Sequence, residues 1–114
     1  ERKGESTQYL SFELDGEVFA VEISKVREVL EFNGVTRVPR TPEFMRGVIN
    51  LRGSVVPVVD MRLKFGMRRA EETVDTCVVI VEVEIDGEST VIGALVDSVR
   101  EVLEMASSDV EPPP

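Results

Sequence analysis

Residues 47–62 constrain the fold more than any other part of this chain. Two short apolar, β-branched runs (47–51 and 55–59) flank the turn residues Arg52 and Gly53. Such runs, bounded by Gly, Asn and Asp, are typical of strands with at least one buried face. Gly53 supplies the positive φ that a tight turn needs and that Arg52 resists. The stretch predicts a hairpin with Arg52 at its tip. Pro57 has no N–H to donate to a ladder, which predicts an edge position or a bulge in the second strand.

The rest of the chain repeats the strand pattern. Residues 9–14 alternate between apolar and polar, as do residues 17–23, and Asp15-Gly16 between them is a hairpin turn signal. A second hairpin of the same kind is predicted downstream, with strands 77–85 and 89–96 joined by Asp86 and Gly87. Residues 1–8 are mostly polar and charged, so we expect a disordered or frayed N-terminus before a single domain over residues 9–114.

Short mixed segments follow each hairpin. Residues 26–30 and 99–103 are both Val-Arg-Glu-Val-Leu, a spacing that fits a helical turn or a strand equally well. Thr41 followed by Pro42 predicts one helical turn over residues 41–44. Asp60 is placed to cap a second short helix over residues 61–65, which Gly66 would end.

The composition favours an all-β domain. The chain has 114 residues, 42% of them apolar, with five Phe, one Tyr and no Trp. Its core must therefore be mainly aliphatic, and short Val-rich strands with repeated turn signals indicate a barrel or sandwich.

The charge is unevenly distributed. The net charge is −9, which disfavours nonspecific binding to nucleic acid or to an anionic membrane. Residues 37–69 nevertheless hold eight basic and two acidic side chains, whereas the remainder holds five basic and twenty acidic ones. Two interpretations stay open: the basic middle meets an acidic protein partner, or the two signs balance each other across the fold.

The residues required for catalysis are missing from the sequence. There is no His, and the single Cys77 cannot form an internal disulfide or a thiolate metal site. No nucleotide-binding glycine loop and no ordered calcium loop occurs. The sequence therefore predicts a binding module without enzymatic activity, cofactor or metal, in which Cys77 is a structural thiol. No apolar run approaches the ~20 residues of a spanning helix, so we expect no membrane insertion.

The central motif resembles that of the CheW family of chemotaxis coupling proteins. Residues 47–53 (Gly-Val-Ile-Asn-Leu-Arg-Gly) and 55–62 (Val-Val-Pro-Val-Val-Asp-Met-Arg) carry the resemblance, which covers almost all of residues 9–112. Further matching positions lie on both sides of the motif (Phe12, Phe19, Val21, Ile23, Val26, Val29, Pro39, Thr41, Pro42, Phe44, residues 78–81 and residues 93–99). The CheW-like half of CheV and the regulatory domain of the CheA kinase share this fold.

The resemblance implies an all-β fold of two five-stranded, SH3-like barrels that share a core, with short helical turns. It implies a cytoplasmic adaptor that couples the regulatory domain of the CheA histidine kinase to the tip of methyl-accepting chemotaxis receptors. The alternatives are the CheW-like domain of CheV and a detached CheA regulatory domain. The receptor helix would lie in a groove between the barrels, at Val26, Glu28, Val29 and Arg52; the kinase-facing residues are not assigned. A competing interpretation is that Arg52 only pairs with a neighbouring carboxylate.

The end of the chain departs from the family pattern. Family members continue past the position of Pro114 with a strand-rich segment that completes the first barrel. We therefore expect the domain to be C-terminally incomplete here, with an open strand edge. Self-association of two copies through this incomplete barrel is the corresponding prediction.

Overall fold

The computed structural model of the protein describes residues 6–106. Eight strands follow one another with little helix between them. Their bounds are β1 Ser6–Leu14, β2 Glu17–Glu22, β3 Val26–Glu31, β4 Met45–Leu51, β5 Ser54–Asp60, β6 Cys77–Ile85, β7 Glu88–Val96 and β8 Ser98–Ala106. A 3₁₀ turn (Ile23–Lys25) precedes β3, and one short helix, α1 (Met61–Lys64), follows β5.

The strands form two sheets, which confirms the all-β prediction. The first sheet has the order β2-β1-β8, and the second has the order β3-β6-β7-β5-β4. All pairings are antiparallel except β5 with β7, which run parallel from Val58 to Asp60. The first sheet thus has three strands within residues 6–106, rather than the five expected for a complete barrel.

The second sheet closes into a small barrel. The segment after β3 pairs back onto β4 through a bridge between Thr36 and Val48, with N–H···O distances of 2.9 and 2.8 Å. Gly47 permits this approach, because a Cβ at that position would lie 2.4 Å from the carbonyl oxygen of Thr36. The prediction of a five-stranded, SH3-like barrel is confirmed for this sheet.

Two apolar clusters share strands β6 and β7. Val79, Val81 and Val96 face the first sheet, where they pack against β1. Val78, Ile80 and Leu95 face the interior of the second barrel. The uninterrupted Val-Val-Ile-Val run of β6 is explained by this arrangement, since a strand buried on both faces needs apolar residues at every position. The predicted core common to both halves is therefore present.

Several local predictions need correction. β1 begins at Ser6, so residues 6–8, expected to be frayed, pair with β8 instead. Residues 41–44 do not form a helix; the Met45 amide donates to the Pro42 carbonyl at 2.9 Å and closes a single turn there. Thr41 Oγ1 donates backwards, to the carbonyl of Val38 at 3.0 Å. Residues 1–5 and the C-terminal residues 107–114, including the expected incomplete end, lie outside the described residues.

The structure also shows the outcome for the two repeated segments, for Pro57 and for the cap of α1. The copies at residues 26–30 and 99–103 are both strand. Pro57 lies on an inner strand, but the pairing of β5 with β7 begins only at Val58, so the proline occupies a stretch paired on one side. The predicted cap of α1 is confirmed, as the Asp60 carboxylate accepts from the Leu63 amide at 3.3 Å.

Candidate functional site

Arg52 lies in a two-residue turn between β4 and β5. Its φ is +49° and that of Gly53 is +91°, the pattern of a type I′ hairpin turn. Arg52 thus adopts the left-handed conformation that the sequence suggested it would resist. The side chain of Asn50 stabilises the turn, because its Oδ1 accepts a hydrogen bond from the Gly53 amide at 2.9 Å. The turn holds Arg52 outward, with 72% of its side chain exposed.

Glu28 on β3 meets Arg52 across the barrel. The Arg52 guanidinium donates to the Glu28 carboxylate, which is 28% exposed. A bulge lies just before Glu28, because Val26 pairs with Val81 whereas Glu28 pairs with the adjacent Ile80. Bulges re-aim the side chains beside them. Two of the four residues assigned to the receptor site are therefore in contact, and the carboxylate partner anticipated for Arg52 is Glu28.

A cleft of about 770 Å³ lies beside this ion pair. Its apolar floor includes Val56 and Ile80, which are 3% and 1% exposed. Val55, which is 67% exposed, stands next to the turn. The site therefore combines an apolar floor with two exposed cations, Arg52 and Arg27, and with the half-buried carboxylate of Glu28.

The other two predicted receptor residues lie elsewhere. Val29 is 41% exposed on the face of β3 opposite to Glu28, and Val26 packs against the apolar cluster shared by the sheets. Every residue lining the cleft belongs to β3–β7 or their connections. The cleft therefore lies on the second barrel, and the expected receptor groove between the two barrels stays a prediction.

A second ion pair flanks the cleft and was not anticipated. Arg27 Nη2 lies 2.7 Å from Glu82 Oε1, and Ser89 donates a hydrogen bond to the same carboxylate. The Ser89 hydroxyl and then Arg27 hold the pKa of Glu82 below its usual range. The Val-Arg-Glu-Val-Leu repeat is the one sequence feature that points to this pair. Arg100, the equivalent of Arg27 in the second copy, forms the corresponding ion pair with Glu13 on β1.

The two sheets are joined by a buried ionic contact. Arg62, 7% exposed, donates through Nε and Nη2 to the carboxylate of Asp97 at 3.0 and 2.5 Å. This hydrogen bond raises the pKa of Arg62 despite the opposing effect of burial. Asp97 in turn accepts from the amide of Asp15 in the β1–β2 turn at 2.7 Å. The contact fixes the orientation of the first sheet relative to α1 and β7.

Cys77 and the acidic residues show no arrangement for chemistry within the described part. Burial raises the pKa of the Cys77 thiol, as expected for a structural cysteine. Within residues 6–106, no group of three or more His, Cys, Asp or Glu side chains is placed to hold a metal ion. In the same range, no helix has the length and apolar character to cross a bilayer.

Comparison with known proteins gives consistent matches over almost the whole chain. The model of the family described as CheW-like domain matches residues 8–114. The chemotaxis protein CheW of Rhizobium meliloti is 36% identical over 107 residues, which are 94% of this chain and 66% of that protein. The chemotaxis protein CheW of Klebsiella aerogenes is 35% identical over 94% of this chain and 62% of its own length. The chain therefore spans slightly less than two thirds of these relatives.

A solved structure shows the same fold. The crystal structure of the scaffolding protein TtCheW from Thermoanaerobacter tengcongensis matches with a TM-score of 0.84 at 36% identity. The match covers 96% of this chain and 73% of that one. The arrangement of sheets described above is thus found in an experimentally determined relative.

Proposed function

The chain belongs to the CheW-like domain family, and on that premise we propose that it is a non-catalytic adaptor. It joins the CheA histidine kinase, through the kinase's regulatory domain, to the tip of methyl-accepting chemotaxis receptors. Membership of the family supports both partners, and the adaptor is placed in the cytoplasm, where a receptor tip and a soluble kinase meet. The relatives reported above are named CheW, which favours the adaptor over the CheW-like domain of CheV or a detached CheA domain.

The observation that carries this proposal is the cleft beside Arg52. A receptor tip is a helical hairpin, and an amphipathic helix binds by laying its apolar face into an apolar groove. The floor at Val56 and Ile80 supplies the apolar surface. Arg52 at the rim supplies a cation of the type that often dominates interface energetics.

The four proposed receptor-site residues act in different ways. Arg52 contacts the receptor directly, and the Glu28 carboxylate orients the Arg52 guanidinium through their ion pair. Val29 extends the contact onto the exposed face of β3. Val26 anchors the strand in the core and acts only by positioning it. Self-association through the first sheet stays a separate prediction.

Reversal of the charge at Arg52 tests the assignment of this residue to the receptor site. An exposed ion pair contributes at most ~1 kcal/mol to stability, so Arg52→Glu leaves the fold intact. We expect this change to weaken receptor binding by roughly 1–3 kcal/mol, the range of a charge-assisted contact. Isothermal titration of the protein against a receptor-tip fragment gives the affinity, and circular dichroism checks the fold.

The exchanged double variant, Arg52→Glu with Glu28→Arg, separates the two interpretations of Arg52. If Arg52 contacts the receptor, the double variant stays weak although its internal ion pair is restored. Full recovery of affinity would mean that the pair only holds the hairpin. Arg100→Glu is the matched control, because Arg100 forms an equivalent exposed pair with Glu13 in the other sheet. An adaptor also requires binding to the CheA regulatory domain, so a folded protein that binds neither partner contradicts the proposal.

A further inference from the structure

A pocket of about 600 Å³ lies on the second barrel away from the Arg52 cleft. The loop between β3 and β4, the start of β4 and the loop before β6 enclose it. Its lining shares no residue with the Arg52 cleft. Four arginines and two glutamates contribute to the lining (Arg37, Arg40, Arg46, Arg69, Glu43 and Glu72), so the pocket is positive in a chain of net charge −9.

Three of these arginines are not neutralised by the part of the chain that the structure describes. Within residues 6–106, no carboxylate lies within 4.0 Å of Arg37, Arg40 or Arg69. Arg46 differs, since it is held by Asp60 at 3.4 Å and by Glu72 at 3.0 Å. The other arginines of the basic segment, residues 37–69, have partners: Arg52 with Glu28, Arg62 with Asp97 and Arg68 with Asp15. Among the arginines of this segment, only these three at the pocket therefore lack a carboxylate partner within residues 6–106, while the remaining cation, Lys64, lies over the ring of Phe44.

Arg40 also has an unusual backbone. Its φ is +63°, and it is one of four non-glycine residues with positive φ within residues 6–106. The other three, Asp15, Arg52 and Asp86, each precede a glycine in a two-residue hairpin turn. Arg40 instead follows Pro39 in the turn at residues 39–40, and a proline followed by a residue of positive φ is the pattern of a type II turn. The left-handed conformation costs about 1–2 kcal/mol for an L-residue other than glycine.

We propose that this pocket docks an acidic segment of a partner protein, in which carboxylates alternate with apolar side chains. The carboxylates bind Arg37, Arg40 and Arg69. The apolar side chains pack on the exposed Val38, Pro39 and Pro42 between them. A phosphate ligand fits less well, because no lining residue belongs to a helix whose N-terminal amides could bind it. The site is independent of the receptor assignment at Arg52.

The experiment uses a defined peptide in place of the unknown partner. A fluorescein-labelled peptide of alternating Glu and Val is titrated into the ¹⁵N-labelled protein at physiological salt, with the matched Gln-Val peptide as the uncharged control. We expect saturable binding of the Glu-Val peptide alone. Amide shifts should concentrate at residues 37–42 and at Arg69, and amides around Arg52 should not move.

Variants of Arg40 and Arg69 make the test specific. Arg40→Gly removes one guanidinium and also relieves the positive φ, so we expect peptide binding to weaken about tenfold while the melting temperature stays equal or rises. Arg69→Gln should weaken binding similarly. Arg68→Gln is the matched control, because it removes one charge from the adjacent position, where the side chain is bound to Asp15. This control should bind the peptide like the parent protein.

Each contrary outcome overturns the proposal. Equal weakening in Arg68→Gln would mean nonspecific attraction to positive charge. Tripolyphosphate that binds more tightly than the peptide, with the same amide shifts, would make the pocket a phosphate site. Concentration-dependent shifts at residues 37–42 without any peptide would mean that a second copy of this chain occupies it. Unaltered peptide affinity in both Arg40→Gly and Arg69→Gln would exclude the pocket.

Discussion

The buried contact between Arg62 and Asp97 provides the most quantitative prediction. Arg62→Met removes the guanidinium but keeps a long apolar side chain that fills most of the same space. Asp97 then remains only 19% exposed and loses two charged hydrogen bonds, at 3.0 and 2.5 Å. The variant therefore leaves a carboxylate desolvated without its cation.

The expected cost can be worked from this geometry. Breaking a buried ion pair by removing one partner costs about 3–5 kcal/mol. Asp97 retains the hydrogen bond from the Asp15 amide at 2.7 Å and some solvent contact, which places the loss near the lower limit. We expect about 3 kcal/mol, or a decrease of roughly 12 °C in melting temperature for a domain of this size.

Urea unfolding followed by far-UV circular dichroism measures this loss, and the absence of Trp makes dichroism the better probe. The double variant Arg62→Met with Asp97→Asn should recover about 2 kcal/mol relative to the sum of the single changes, because neither charge is then left unpaired. The asparagine oxygen can still accept from the Asp15 amide. This recovery would show that the charge pair, and not the lost volume, explains the single variants.

Arg100→Met is the matched control. Arg100 and Glu13 are 47% and 32% exposed, and an exposed pair contributes at most ~1 kcal/mol. A loss in Arg62→Met no larger than in Arg100→Met, or strictly additive losses in the double variant, would refute the reasoning that burial gives the Arg62 contact its strength.

Two further predictions concern packing and thiol reactivity. Gly47→Ala should destabilise the protein by about 1–3 kcal/mol more than Gly34→Ala, because both glycines have positive φ but only at Gly47 would a Cβ meet backbone, 2.4 Å from the Thr36 oxygen; equal urea midpoints would contradict this. Burial raises the pKa of Cys77, so the neutral thiol persists to higher pH than in the unfolded chain. Labelling by a disulfide reagent at pH 8 should accordingly be roughly tenfold slower in the folded protein than in urea, whereas similar rates would mean an accessible thiolate.

Local structure was predictable where a few adjacent residues decide it. The hairpins at Asp15-Gly16 and Asp86-Gly87 follow from alternation and turn chemistry, and the capping of α1 by Asp60 follows from its position before the helix. Prediction was wrong at residues 41–44, because the chain makes only one turn there before Met45 enters β4, which pairs with β5. The residues 26–30 were undecided because pairing with β6, far along the chain, makes them a strand.

The candidate site was only partly accessible from the sequence. The turn at Arg52 was expected, but its contact with Glu28, 24 residues away, depends on the closure of the barrel. Side chains alternate along β3, so Glu28 faces the cleft whereas Val29 points to the other side. The resemblance to the family named all four positions, whereas the geometry shows that Glu28 contacts Arg52 and that Val26 packs against the core.

The sequence by itself determined the central hairpin, the two Asp-Gly hairpins and the aliphatic core, because these depend on residue type and on period-two alternation. Tertiary structure alone decided the parallel pairing of β5 with β7, the burial of both faces of β6, and the partner of each charge. The basic segment was one block in the sequence. Folding brings carboxylates to four of its arginines, Arg46, Arg52, Arg62 and Arg68. Within the described residues it brings none to Arg37, Arg40 and Arg69. The tertiary structure decides this, because these ion pairs form between strands and loops that are distant in the sequence and meet only when the sheets close.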